Sequence, residues 1–356
     1  MPLTQTTFTR AFDLRLPIIQ APMLGGATTP ELVAAVCAAG GMGSFAAAAS
    51  APRAIADGVA RIRALTDRPF SVNLFVLDTP KPTPQQVARA IELLAPFRAE
   101  LGLPPGQPLA RYCEPFEDQF EAVVEAAPAL ATFTFGLLDV ARVERLHARG
   151  CKVMGSATNV AEARAWAGVG ADYICAQGAE AGGHRGTFIG KYEDSLIGTI
   201  ALVPQIVDAV GVPVVAAGGI MDGRGIAAAL MLGAAAAQLG TAFLTCPEAA
   251  IHPGWKQLLR ESPDTSTQVT LAFSGRMARG INNDFMRRLA AQQHELPAYP
   301  VQNALTAELR AAAGRAGRTE YLSLWAGQGL AMGRGLPAAE LMARLEAELA
   351  RALARE

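Results

Sequence analysis

A histidine set among glycines is the most chemically suggestive feature of the sequence. His184 lies in Gln177-Gly-Ala-Glu180-Ala-Gly-Gly-His184-Arg-Gly-Thr, where Gly182, Gly183 and Gly186 let a ligand approach the ring. An imidazole near neutral pH can move a proton or hold an anion. A ring tied to its own loop backbone is the alternative, and position alone leaves both open. The other histidines lack such a setting: His147 shares a helical stretch with Arg149, and His252 and His294 fall in a long segment near the C-terminal end. Glu180 can orient His184 or pair with Arg185. No second histidine or cysteine stands at ligand spacing, so a metal centre is not expected.

Two glycine-bearing pairs suggest a second kind of chemistry. Gly218-Gly219 and Gly240-Thr241 each follow an apolar run and would present bare backbone N–H groups, which a phosphate requires. Either pair alone could simply permit a tight turn. Asn73 and Gln177 are amides at the ends of otherwise apolar runs. An amide both donates and accepts, as reading a flavin's pyrimidine edge or ribityl chain demands; service to loop backbone is the other possibility. No G-x-G-x-x-G opens a helix after the first apolar run, so a dinucleotide fingerprint is absent. A phosphate site without that fingerprint points to FMN.

These residues sit at the ends of eight short apolar runs: 17–23, 41–47, 70–75, 131–136, 151–158, 171–178, 212–219 and 234–242. Helical stretches rich in Ala, Leu and Arg separate most of them, at 30–39, 52–65, 139–149, 160–169, 197–210 and 223–232. Eightfold strand–helix alternation predicts an α/β fold, a TIM-like (β/α)8 barrel whose site lies at the C-terminal strand ends. An open doubly wound sheet is the rival. Residues 1–76 and 113–246 are read as the barrel, and 77–112 and 247–330 as a smaller cap over the substrate. Residues 331–356 form an amphipathic C-terminal helix with Leu341, Leu345, Leu349 and Leu353 four apart.

Composition sets the outer bounds. The chain has 356 residues, 51% hydrophobic and 18% charged, enough apolar material for a large core. Thirty-one basic residues against thirty-two acidic give a net charge of −1, so nucleic acid and anionic membranes are not expected partners and any anion site must be local. Five dispersed cysteines form no C-x-x-C, arguing against a disulfide framework. The polar first ten residues lack the apolar core of a secretory signal, which predicts a cytoplasmic location. The uncharged stretches 32–52 and 225–247 are long enough to invite reading as membrane spans, but internal glycines and a change of pattern mark them as barrel core. Monomer and homodimer stay open.

At these residues the sequence resembles the class I nitronate monooxygenases, formerly called 2-nitropropane dioxygenases. The resemblance covers nearly the whole chain. It rests on Gln20-Ala-Pro-Met23 with Gly25-Gly26 and Thr29-Pro30, on Phe70-Ser-Val-Asn73-Leu-Phe and Ala157-Thr158, and on the Gln177–Phe188 segment. Ser195–Gln205 and Ser274-Gly-Arg276-Met-Ala-Arg-Gly280 extend it. It implies non-covalent FMN and the oxidation of alkyl nitronates, propionate 3-nitronate among them, by O2 to carbonyl compounds and nitrite.

By position, the resemblance places flavin contacts at Pro22, Met23, Leu24, Asn73, Gln177, Gly182, Gly218, Gly219, Gln238, Leu239, Gly240 and Thr241, and puts His184 at the catalytic position. A nitronate is already deprotonated and electron-rich at carbon, so His184 is expected to hydrogen-bond its oxygens and to act as base only on a neutral nitroalkane. Met23 and Phe75 would exclude water, and Lys191 or Tyr299 would close over the anion. Two rival functions are an FMN-dependent NAD(P)H reductase of a quinone or enoyl thioester, and a flavin-free barrel that senses a phosphate ligand.

Overall fold

The computed structural model describes residues 4–354. Residues 1–3, the start of the predicted barrel segment and of the polar first ten residues, and 355–356, the end of the predicted C-terminal segment, lie outside the described residues. The strands are β1 (Ile18–Gln20), β2 (Ser44–Ala46), β3 (Ser71–Phe75), β4 (Leu130–Thr134), β5 (Lys152–Ala157), β6 (Tyr173–Gln177), β7 (Gly183–His184), β8 (Val214–Ala217), β9 (Ala236–Leu239), β10 (Thr267–Thr270) and β11 (Ala278–Ile281).

Eight of them pair in parallel in the order β1-β9-β8-β6-β5-β4-β3-β2. An Ile19–Met42 bridge joins the two ends and closes the ring. The fold is a (β/α)8 barrel, and each barrel strand lies within one of the eight apolar runs except β4, which begins one residue before its run. The suspect stretch 225–247 holds most of the Gly223–Met231 helix and then β9. Among the described residues, no helix is long and apolar enough to cross a membrane.

Closure is helped by a side chain. β1 and β2 are too short for a full ladder, so the buried Gln20 amide substitutes: its Oε1 accepts the Ser44 N–H at 3.1 Å. The lower end of the barrel is plugged by a Thr7–Ala11 helix that the apolar periodicity does not reveal. Its Phe8 packs edge-on against Tyr173, with ring centroids 5.1 Å apart, in a cluster that includes Met42, Met154 and Val215.

The chain between barrel elements is not loop alone. Helices Pro84–Glu100 and Phe116–Ala126 form between β3 and β4. The first shares a separate apolar core with Phe273, Phe285, Leu305, Leu309 and Tyr321, so two sequence-distant segments build one layer above the strand ends. After it, the Ala338–Leu353 helix buries Leu341, Leu345 and Leu349 in the main barrel core. It lies against the helices Pro30–Ala38 and Gly223–Met231 and so fills the eighth outer position of the barrel. Gly223 is required there, because a Cβ would come within 2.2 Å of the Leu349 nitrogen.

Candidate active site

Gln177 ends β6, and its side chain decides how the following loop is laid down. Its Nε2 donates to the His184 carbonyl at 3.0 Å, and its Oε1 accepts the Gly186 N–H at 2.8 Å. Arg185, turned inward and buried, ties down the same loop by donating to the carbonyls of Gln177, Gly178 and Ser195. The geometry therefore commits the Gln177 amide to loop backbone. Glu162 anchors the far end: its fully buried carboxylate accepts from Thr158 and from the N–H groups of Phe188 and Ile189.

The loop is thereby held out as strand β7, which pairs antiparallel with β11 of the upper layer, His184 opposite Ala278. The His184 ring enters an aromatic enclosure. Its centroid lies 5.4 Å from Tyr299, 5.5 Å from Phe135 and from Trp325, and 6.3 Å from Phe75. Arg276 covers the outer face of Phe135, its Cζ 3.9 Å from the ring centroid. Tyr299 and Leu24 pack with Phe75 and Phe135, which brings the Pro22–Leu24 turn to the same enclosure. Lys191 is exposed on the next loop and is not part of this group.

A hydroxyl fixes the state of the imidazole. Ser274 Oγ lies 2.9 Å from His184 Nε2 and donates its own proton to the Arg276 carbonyl at 3.1 Å. With its hydrogen on that carbonyl, the oxygen is placed to accept from Nε2–H, which would leave the lone pair on Nδ1. Burial, then the charges of Arg276 and Arg310, push the His184 pKa down to about 3. The ring is neutral at physiological pH. Burial also pushes Tyr299 up to about 12, so its hydroxyl keeps its proton.

This has a consequence for stability. The folded His184 value of about 3 lies below its ordinary 6.5, so the fold favours the neutral ring. That contribution is complete above the unfolded value and drains away as pH falls from 6.5 towards 3. Denaturant midpoints compared at pH 7 and pH 4 should fall more steeply for the wild type than for His184→Asn. Parallel decline would refute a ring held neutral by the fold.

The other predicted residues gather at neighbouring strand ends. Gly218 and Gly219 adopt φ of 115° and 71°, conformations in which a side chain would be strained. Among the described residues, the N–H groups of Gly218, Gly219, Gly240 and Thr241 find no protein acceptor. Met23 lies over Gly240, its Sδ 3.6 Å from where a Cβ would stand. Asn73 is buried, donating to the carbonyl and hydroxyl of Thr132. Gln238, at the end of β9, has a buried Oε1 with no partner. Gly182 passes so close to Gly327 that a Cβ would meet its nitrogen at 2.4 Å. No group of metal-ligating side chains forms among the described residues.

A buried neutral imidazole at the same barrel end as bare backbone donors is the arrangement of an enzyme site, and its sequence match is specific. Residues 7–348 match the family model for nitronate monooxygenase. The chain belongs to the nitronate monooxygenase family. It is accordingly an enzyme, an oxidoreductase acting on a small molecule. A probable nitronate monooxygenase of Staphylococcus aureus is 40% identical over 340 residues, 95% of each chain. Another, from Staphylococcus saprophyticus, is 41% identical over 327 residues, 91% of each chain.

Among solved structures, nitroalkane oxidase from Streptomyces ansochromogenes superposes with a TM-score of 0.90 at 40% identity, covering 97% of this chain and 98% of its own. FabK from Thermotoga maritima shares the architecture at a TM-score of 0.75 and 28% identity, over 98% of this chain and 97% of its own.

Sequence reading of this family member did not single out the Arg310 guanidinium, the indole of Trp325 or the role of Ser274. Ser274 and Arg276 stand in a recognisable family segment, but nothing in it indicates that Ser274 faces His184. Glu162 had the clearest available signal, a carboxylate following Thr158-Asn159 at a helix start.

Proposed function

We propose that the protein binds FMN at the barrel mouth and oxidises alkyl nitronates, propionate 3-nitronate among them, with O2 to carbonyl compounds and nitrite. The single observation carrying this reading is His184, neutral and aromatic-walled, with Ser274 on Nε2, in a chain of this family.

The residues present fit the cofactor. The orphaned Gln238 Oε1 needs a donor, which the N–H of a flavin ring would supply, and the Asn73 side-chain Oδ1, whose amide nitrogen is spent on Thr132, is available to accept as well. The unpaired N–H groups of Gly218, Gly219, Gly240 and Thr241 suit a phosphate. Met23 and Leu24 supply an apolar side. When bound, FMN accepts electrons from the substrate and returns them to O2.

The chain's own residues do the rest. Nδ1 of His184 takes the proton from the α-carbon when the substrate arrives as a neutral nitroalkane. With Nε2–H engaged by Ser274, the ring has no second N–H for a nitronate oxygen, so donors to the anion come from elsewhere in the enclosure. The protonated Tyr299 hydroxyl is one. Phe75, Phe135 and Trp325 keep water away and strengthen these hydrogen bonds.

Purified protein should be yellow, release FMN on denaturation and consume oxygen with propionate 3-nitronate. Colourless protein that takes up no FMN would support phosphate sensing. Steady NADH consumption without a nitro compound would support the reductase.

A further inference from the structure

The charged groups acting on the His184 ring are all of one sign. They are Arg276, on the segment just before β11, and Arg310, on the helix Ala307–Arg315. The ring's remaining neighbours are Ser274, Phe75, Phe135, Tyr299 and Trp325, none of which carries negative charge at neutral pH.

Neither arginine has a carboxylate partner among the described residues. Arg276 gives Nε and Nη2 to the carbonyls of Arg185 and Thr187. Arg310 gives Nη2 to the carbonyl and side-chain oxygen of Asn303, at 2.8 and 3.0 Å. The Arg310 Nε is buried with no partner at all. The Nη1 groups of both arginines donate to no protein atom, yet neither is sealed from solvent.

Burial lowers both guanidinium pKa values to about 10, which leaves them charged at neutral pH. Two buried cations with no carboxylate in contact, Glu162 acting on Arg276 only through space, are costly to hold, and arginine is the side chain best shaped to take the planar two-oxygen end of an anion. A protein of net charge −1 that concentrates positive charge here has a local reason to do so.

Building on the function proposed above, we infer that Arg276 and Arg310 are specificity-determining residues: their unpaired Nη1 donors select the ionised nitronate over its neutral nitroalkane. A nitronate supplies the missing counter-charge and accepts charge-assisted hydrogen bonds. A nitroalkane of the same carbon skeleton is similar in size but carries no net charge. The division of labour is then complete, with His184 acting on a C–H and the arginines holding the oxygens.

The test compares ethylnitronate with nitroethane. Arg310→Gln and Arg276→Gln should each lower kcat/KM for ethylnitronate on the order of 10- to 100-fold, the size of a lost charge-assisted hydrogen bond, and change nitroethane far less. Arg310→Lys, which keeps the charge, should restore most of the preference. In the Gln variants the His184 ionisation seen in the pH profile should move up towards its ordinary value, and in Arg310→Lys, which restores the charge, it should fall back, a return that loosened packing would not give.

A second arm needs no variant. Inorganic nitrate, a planar anion, should bind the wild-type protein in competition with ethylnitronate and more weakly as salt rises. Folded Gln variants that keep the wild-type substrate ratio, or wild-type protein that binds no nitrate, would overturn the inference. If the wild type oxidises neither substrate, the proposed function fails, whereas nitrate binding lost in Arg310→Gln and kept in Arg310→Lys would still uphold the anion site.

Discussion

Replacing His184 with asparagine should lower kcat/KM for a neutral nitroalkane on the order of 10²- to 10⁴-fold, the usual contribution of a positioned general base. The same change should cost the corresponding nitronate about tenfold or less, because its C–H proton is already gone and the anion is held elsewhere. The selective loss follows from Ser274, which takes Nε2–H and leaves Nδ1 as a bare base. Ser274→Ala should then behave as a weaker copy, its nitroalkane activity reduced because the ring loses its tautomeric preference. Steady-state rates for nitroethane and ethylnitronate decide the matter. Equal losses on both substrates in His184→Asn would show that the ring binds the anion and is not a base.

Glu162→Ala should be the most damaging change outside the enclosure, destabilising by about 3 kcal/mol or more. The carboxylate is fully buried and serves the Thr158 N–H and hydroxyl and the N–H groups of Phe188 and Ile189, so its removal strands several donors at once. Glu162→Gln keeps the size but turns an amide NH2 towards those N–H groups, so it should rescue little. Urea unfolding, with limited proteolysis of the 185–195 loop, would measure both effects. Wild-type midpoints and an equally resistant loop in both variants would remove Glu162 as the anchor of the His184 strand.

The barrel was legible in the sequence because its information is local. A buried parallel strand is a short apolar run, most often ended by glycine or a polar residue, and most of the eight have that form; the predicted 52–65 helix matches Pro52–Leu65. The Thr7–Ala11 plug was not legible, since five residues offer no periodicity. Nor were β10 and β11. The Thr267-Gln-Val-Thr run is short and has one apolar residue in four, and it becomes a strand through a hairpin partner.

The site divides in the same way. His184, the glycine pairs and Gln238 could be picked out because they lie at strand ends. Gln177 was picked out too, although its type could not tell flavin contact from loop support, and the structure shows it supporting the loop. Ser274, Arg310 and Trp325 acquire meaning only when chain 90 or more residues away folds back over β7, a juxtaposition that no spacing encodes.

The point where the upper layer leaves and rejoins the barrel has an evolutionary meaning. Thr245 accepts the Gly335 N–H at 3.1 Å, and Glu248 accepts the Ala338 N–H at 2.9 Å, so some ninety residues depart and return through one gateway. An excursion whose two ends are pinned together can be lengthened, shortened or rewritten while the ring beneath keeps its geometry. Ser274, Arg276, Tyr299 and Arg310 all lie inside it, whereas the bare backbone donors do not. Drift within that excursion can thus alter which molecule is accepted without disturbing the floor on which it reacts.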